Sequence, residues 1–519
     1  MKKFVLSKEI DIHAAQGWLA RIMVFLILCV QPLYLNSRGY MLLAHHKFVF
    51  FATYMFIILF IVFLAWGHRR IRRVPRLISQ YKFSVTDFAI MGFAAVTLLS
   101  ALLTPYSSEA ALWGMPTRRD GAVTQLLYVA VYFIVSRWYK MRESDFILFG
   151  ASAILVAMIG ILQFFGMDFL GLWDTLPYEM RISVENYYNI SFRTTLGNIN
   201  FVSTYACMAI LLCGFLFVRL NSKWRCLCLA GSALSFWLLI IAGSYSGMVG
   251  TLAATVLAVP FITQSKKYLG RFLSLISSFA AMLFLHRLLY NTIILGAGTA
   301  AELIILAALM LLLAAAGLRL SKASDASRSD DPVKWKRGVI LIAVCIMAGL
   351  AGILILGRSE SAGPVYQVRE ILRGNIQDDF GTHRIYIWRN ALRVLPKHPL
   401  IGSGPDTFVY VFPQDAQFVF GEYYDKAHNE YLQILICQGI LGLLSYFVFI
   451  GALLKNAIAT AFKNPITMAV LAAFTGYCIQ AFFNISHPIV SQLLWVFAGV
   501  MASKGVSSAY EPEGESLIS

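Results

Sequence analysis

Charge is what this chain has least of. Only 13% of its 519 residues are Asp, Glu, Lys or Arg, while 59% are hydrophobic. Soluble domains carry about a quarter charged residues, so an ordinary soluble enzyme is excluded and lipid is indicated. Acids are scarcer than bases, 27 against 43, and the formal charge of +16 raises the question of a nucleic-acid partner. The bases cluster in short connectors between apolar runs, as membrane topogenic signals do, so no nucleic acid is expected. The eight cysteines (Cys29, Cys207, Cys213, Cys226, Cys228, Cys345, Cys437, Cys478) lie in or beside apolar runs, which argues against a disulfide framework in the polar loops. No GxxxxGK[ST] loop is present, which disfavours an ATP-driven pump, and no HExxH, carboxylate-rich cluster or paired CxxC appears. Neither a metal nor a cofactor is therefore expected. His45-His46 reads as an interfacial pair and Cys226-Leu227-Cys228 as small buried residues. The first apolar run lacks a small-residue cleavage site and fits a retained helix, not a signal peptide.

What the chain has instead is long apolar runs, each near the roughly 20 residues that a spanning helix needs. Hydropathy places about fourteen, near 18–35, 46–66, 85–103, 122–136, 145–165, 199–218, 225–243, 247–263, 272–289, 300–317, 338–356, 431–454, 466–484 and 489–503. The expected fold is an all-α polytopic membrane protein. Lys and Arg concentrate in alternate connectors, most densely at 67–84, so both termini and the tail 504–519 should be cytoplasmic. The chain then divides into a transmembrane bundle at 1–356, an extracytoplasmic loop at 357–430 and C-terminal spans at 431–503. A loop of that length is usually functional or disordered. Its aromatic residues and near-balanced charge argue for an ordered one.

Three stretches on the outward side carry candidate chemistry. Thr382 to Leu395 reads as an amphipathic helix with Ile385, Trp388, Ala391, Leu392 and Leu395 on one arc and Arg389 and Arg393 opposite. Arg384 sits at the edge of the apolar arc: it snorkels, pairs with Asp378 or Asp379, or clamps an anion. Pro396, Pro399, Gly402, Gly404 and Pro405 then force a tight turn. If a helix starts near His428, then Leu432, Leu435, Gly439 and Gly442 project on its side, leaving a notch for a close helix or a slender lipid chain. His428 is either an interfacial histidine above packing glycines or a general base. In Arg193 to Asn200, Asn198 can cap the next helix, and Arg193 beside that helix N-terminus suits a phosphate.

His428-Asn429, nine residues, then Gly439-Ile440-Leu441-Gly442 resembles the HN-x9-GxxG signature of O-antigen ligases. Arg384 with Trp388, followed by Pro399 to Phe408, is similar to the family's R…W…PxxGxGxxxF block; Arg193 to Asn200 is similar to its R…GNxN element. Gly243 to Gly247 looks like its short SRSG turn, with Tyr245 where arginine is frequent, and the chain has about two spans beyond the usual dozen. The resemblance implies an architecture like that of other multi-span (GT-C-like) glycosyltransferases and a metal-independent, inverting transfer at the outer leaflet of the cytoplasmic membrane. The donor would be an undecaprenyl-diphosphate-linked glycan; the acceptor would be a hydroxyl of a glycan, lipid or protein. His428 would take the acceptor's proton, while Arg384 and Arg193 hold the diphosphate. Asn198, Asn200, Asn429, Gly402, Gly404, Gly439 and Gly442 would line the donor site, with the polyprenyl chain near the last two. The alternative is a transporter of a small anion or lipid-linked glycan. It predicts ionisable residues deep in the spans, where Glu302 is one candidate.

Overall fold

The computed structural model describes residues 2–71, 82–176, 192–290, 300–322 and 364–503. Ten of its helices are long and apolar enough to cross a membrane, and Ala122–Trp138, Tyr245–Leu257 and Gln492–Ala502 are shorter apolar helices. The protein is an all-α, multi-helix integral membrane protein. The span expected at 338–356 and the tail 504–519 lie outside the described residues. Where both can be compared, the expected spans and these helices agree to within a few residues at most ends. The largest difference is at Glu430–Ala461, whose 32 residues run past the expected end at 454 and include a break at Gly439.

The centre of the bundle is Ile199–Arg219, buried at every position from Phe201 to Arg219. A helix apolar on all sides belongs in the interior. Arg225–Ala242, Pro465–Gln480 and Tyr245–Leu257 surround it. They approach closely through small residues: a Cβ on Gly250 would lie 2.6 Å from the Gly476 carbonyl oxygen. Val85–Leu102 packs on Glu430–Ala461, and Ala122–Trp138 packs on Gln492–Ala502. Lys266–Tyr290 and Ala300–Ser321, the extra pair, cross each other with Gly270 and Gly317 backbone against backbone. Only 6% of the apolar window of the second is buried, so among the described residues it lies at the periphery of the bundle.

Asp87 and Arg137 pair at 2.7 Å at one end of the bundle. The segments 104–121, 192–198, 364–430 and 484–491 meet at the other, and the candidate site lies there. Glu302, expected as a charge within a span, is 43% exposed and pairs with Arg287 at 3.1 Å. Lys47 is a charged residue fully buried inside a span; its ammonium donates to the Gln31 and Pro32 carbonyls at 2.7 and 3.1 Å, where the first spanning helix unwinds.

Candidate active site

The site is built on a broken helix. Gly439 has φ 70° and ψ −173°, a conformation open essentially to glycine alone, which frees the carbonyls and N–H groups around it from the helix. Such groups need partners at membrane depth. The Pro399 to Gly404 loop supplies them: Ser403 and Gly404 N–H donate to the Ile436 and Cys437 carbonyls at 3.1 and 2.9 Å. In return, Ile440 and Leu441 N–H donate to the Pro399 and Leu400 carbonyls at 2.9 and 3.2 Å. A Cβ on Gly439 would fall on the Leu400 carbonyl, and one on Gly402 (φ 73°) on the Cys437 carbonyl. Gly402 and Gly439, 37 positions apart in sequence, are halves of one joint. The notch expected at Gly439 for a lipid chain is therefore filled by polypeptide. Gly442 faces Gln438 and Val96, and Gly404 (φ 118°) lies against Thr104 and Thr407.

Beside this joint, Lys426 is buried and pairs with Asp406 at 2.6 Å and with Asp120 at 3.4 Å. Asp406 also accepts from Met115 N–H at 2.7 Å, so one carboxylate ties the 114–121 turn to the strand of chain leading to His428. Burial raises the Asp120 carboxyl above its ordinary range although Lys426 opposes this, while the two acids hold the Lys426 ammonium charged against its burial. Glu430 accepts from the Tyr446 and Tyr477 hydroxyls at 2.8 and 2.9 Å. Asp120, Asp406 and Glu430 line a cavity of about 30 Å³, room for about two waters. Arg118 grips Asp425 through two bonds of 2.7 and 2.9 Å. That pairing outweighs burial and holds the Asp425 carboxyl below its ordinary range.

These ties fix residues 425–427 and thereby His428. The Trp388 indole N–H donates to the Ala427 carbonyl at 2.9 Å, Gln433 accepts from Ala427 N–H at 2.9 Å, and Asn429 caps the following helix at Leu432 N–H, 3.1 Å. His428 therefore precedes the helix instead of lying on its face. Its backbone is left-handed (φ 48°), which costs a non-glycine residue about 1–2 kcal/mol. Its ring makes no hydrogen bond among the described residues. Burial, then the Arg384 and Arg118 charges, push its pKa down to about 4, so it is neutral at pH 7. Strain held at a polar side chain without a partner marks functional sites. Thr382, His383 and Asp406 are left-handed as well.

Arg384 opens the helix Arg384–Val394. Its Nε donates to the Phe483 carbonyl at 3.2 Å and its Nη1 to the Gly381 carbonyl at 2.6 Å and the Thr382 hydroxyl at 3.2 Å. Burial lowers its pKa. No acid pairs with it among the described residues; Asp378 is taken by Arg389 at 2.6 Å. The helix is rotated from the expected arc: Ile387, Asn390, Ala391 and Val394 are buried and Leu392 is 50% exposed, because Ile387, Ala391 and Val394 pack in one core with Phe408, Phe412 and Tyr424.

The 193–200 element sits differently from expectation. Arg193 is 1% exposed and lies 5.2 Å over the Phe164 ring, its pKa lowered by burial to about 10. A guanidinium so enclosed faces protein, not an open ligand site. The larger charge effects on His428 come from Arg384 and Arg118. Asn198 caps its helix at Asn200 N–H, 2.9 Å, as expected. Asn200 accepts from Ser244 at 2.9 Å and, by its carbonyl, from Asn484 at 3.1 Å, one residue from the Phe483 carbonyl that holds Arg384. Tyr245 is 59% exposed. Sequence reasoning missed Arg118, Asp120, Asp406, Asp425 and Lys426. The signal available was position: Asp406 stands inside the Pro399 to Phe408 block, and Asp425-Lys426 two residues before His428.

The O-antigen ligase family model matches residues 287–447, the stretch that contains Arg384, Trp388, the Pro399 to Phe408 block, His428 and Gly439. The chain carries an O-antigen ligase domain. A comparison with curated proteins finds no match. The O-antigen ligase domain covers the joint, the Lys426 pair and His428, whereas Arg118 and Asp120 come from chain outside it. The matched segment is tied to a helix connector about 300 residues upstream.

Proposed function

We propose that this chain is a glycosyltransferase that moves a glycan from an undecaprenyl-diphosphate carrier to an acceptor hydroxyl at the outer face of the cytoplasmic membrane, in surface-polysaccharide ligation or polymerisation. One observation carries the reading: His428, strained, neutral and without a hydrogen bond among the described residues, feels the charge of Arg384, whose guanidinium has no acid partner among them either. Free His428 is a weak base. A bound diphosphate brings negative charge that offsets Arg384 and Arg118, which raises the imidazole pKa toward neutrality as the donor binds. The acceptor oxygen attacks the anomeric carbon, its proton passes to His428, and the carbon–oxygen bond to the diphosphate breaks. The electron pair leaves on the diphosphate, where Arg384 stabilises it. One displacement inverts the anomeric centre.

In this reading Arg118 supplies the second positive charge, and Arg193 braces the wall behind Phe164. Asn200 and Asn429 shape the donor site through the helix starts they anchor. Arg384→Lys tests the clamp: an ammonium keeps the charge but loses the planar fork that spans carbonyl and phosphate together. Transfer measured with lipid-linked donor should fall by at least tenfold, and wild-type rates in this variant would refute a bidentate clamp.

A further inference from the structure

The helix Pro364–Leu372 is turned the opposite way from a helix that faces water. At about 100° per residue, Val368, Ile371 and Leu372 share one arc, and Tyr366, Arg369, Glu370 and Arg373 share the other. The apolar arc points outward: its three residues are 39, 41 and 49% exposed, while Arg369 and Glu370 are buried. The charged arc is satisfied within the protein. Glu370 accepts from Arg369 at 3.0 Å, from Arg373 at 3.1 Å and from Asn375 at 2.9 Å, and the Arg369 guanidinium lies 5.1 Å over the Tyr366 ring. The next helix, Arg384–Val394, does the reverse: it buries Ile387, Ala391 and Val394 and exposes Arg393.

Contacts set the depth of the inverted helix. Gly381 N–H donates to Gln367 Oε1 at 3.0 Å, the Gly381 carbonyl accepts from Arg384 at 2.6 Å, and Arg384 Nε donates in turn to the Phe483 carbonyl at 3.2 Å. Tyr366 also meets the buried Phe380 edge to face, ring centroids 6.1 Å apart. Phe483 ends Pro465–Phe483, a helix long and apolar enough to cross a membrane, and Phe482 beside it is half exposed. One glycine and one arginine thus tie the helix to the end of a span, where acyl chains give way to headgroups. In water an outward apolar face raises the free energy; against lipid it lowers it. We propose that Val368, Ile371 and Leu372 rest in the bilayer interface, against acyl chains, at the end of the bundle that holds His428. The occupant of this face is lipid, and the contact holds the Gly381 turn, and with it Arg384, at headgroup level. The surface stands whether or not His428 transfers glycan.

Spin labels on the full-length protein in nanodiscs test this. I371C and L372C are labelled in a C226S background, which removes an exposed native thiol, and the spectrum of the C226S parent is subtracted. F60C, half-way along the spanning helix Leu43–Ala65, gives the lipid reference, and R393C gives the water reference. Collision with oxygen, which partitions into lipid, relative to collision with a water-soluble nickel chelate should be about tenfold higher at 371 and 372 than at 393, approaching the value at 60. Either label decides alone if the other variant fails to fold. A ratio like that at 393 would put the face in water, and shielding from both reagents would put protein over it; each result would overturn the proposal.

Discussion

Replacing His428 by asparagine or glycine separates chemistry from packing. The residue pays about 1–2 kcal/mol for its left-handed backbone. Asparagine and glycine adopt that conformation at little cost. The imidazole makes no hydrogen bond among the described residues, so its removal leaves no polar partner behind. Against the relieved strain stand the lost ring contacts and, for glycine, about 0.5–1 kcal/mol of added unfolded-state entropy. These contributions nearly cancel, so both variants should melt within about 4 °C of wild type in detergent. Glycan transfer should fall by about 10²–10⁴, the range associated with a lost general base. The paired assay is a thermal melt and a transfer rate on the same preparation. A variant that melts far below wild type would show that the ring is packing, and one that keeps its rate would show that another group takes the proton.

The joint, the pKa, the buried pair and the Trp388 hydrogen bond give further expectations. Gly439→Ala places a Cβ on the Leu400 carbonyl in a glycine-only conformation and should cost about 2–5 kcal/mol. Gly421→Ala, also at positive φ but with nothing within 4 Å, should cost only about 1–2 kcal/mol in a thermal melt. His428 has its pKa lowered to about 4 from 6.5, so its contribution to stability is complete above pH 6.5. It is lost as pH falls toward 4, at most about 3 kcal/mol, because the unfolded chain binds the proton first. The acid limb of kcat/KM should accordingly lie near pH 4 and move upward in Arg118→Gln, which removes a repelling charge; an unmoved limb would contradict that coupling. Lys426→Met strands Asp120 and Asp406 in the interior and should destabilise by about 3–5 kcal/mol, recovered in part by adding Asp406→Asn. Trp388→Phe leaves the Ala427 carbonyl without its indole donor and should cost about 1–3 kcal/mol, with transfer reduced through the displaced His428 loop.

Much of the architecture was legible because lipid imposes a simple requirement, a long apolar run per crossing. The helices Val85–Leu102, Glu143–Phe164 and Ile199–Arg219 begin and end within two residues of their hydropathic limits. The Asn198 cap was equally readable, since capping is local. What hydropathy and helical spacing could not show was the break at Gly439, because an apolar run looks the same whether its backbone is continuous or not. The same limit turned Gly439 from part of a lipid notch into half of a backbone joint with Gly402. Arg193 misled for a related reason: guanidinium next to a helix start suits phosphate, but only packing shows that Phe164 covers it. Lys426 with Asp120 and Arg118 with Asp425 pair across about 300 positions, and no local pattern announces such a contact.

The most direct test is to give the purified protein in nanodiscs an undecaprenyl-diphosphate-linked glycan and follow donor binding and diphosphate release separately. The account predicts that H428N binds the donor like wild type but releases no diphosphate above background, and that R384K loses donor binding. Diphosphate release at the wild-type rate from H428N, or wild-type donor affinity in R384K, would contradict it.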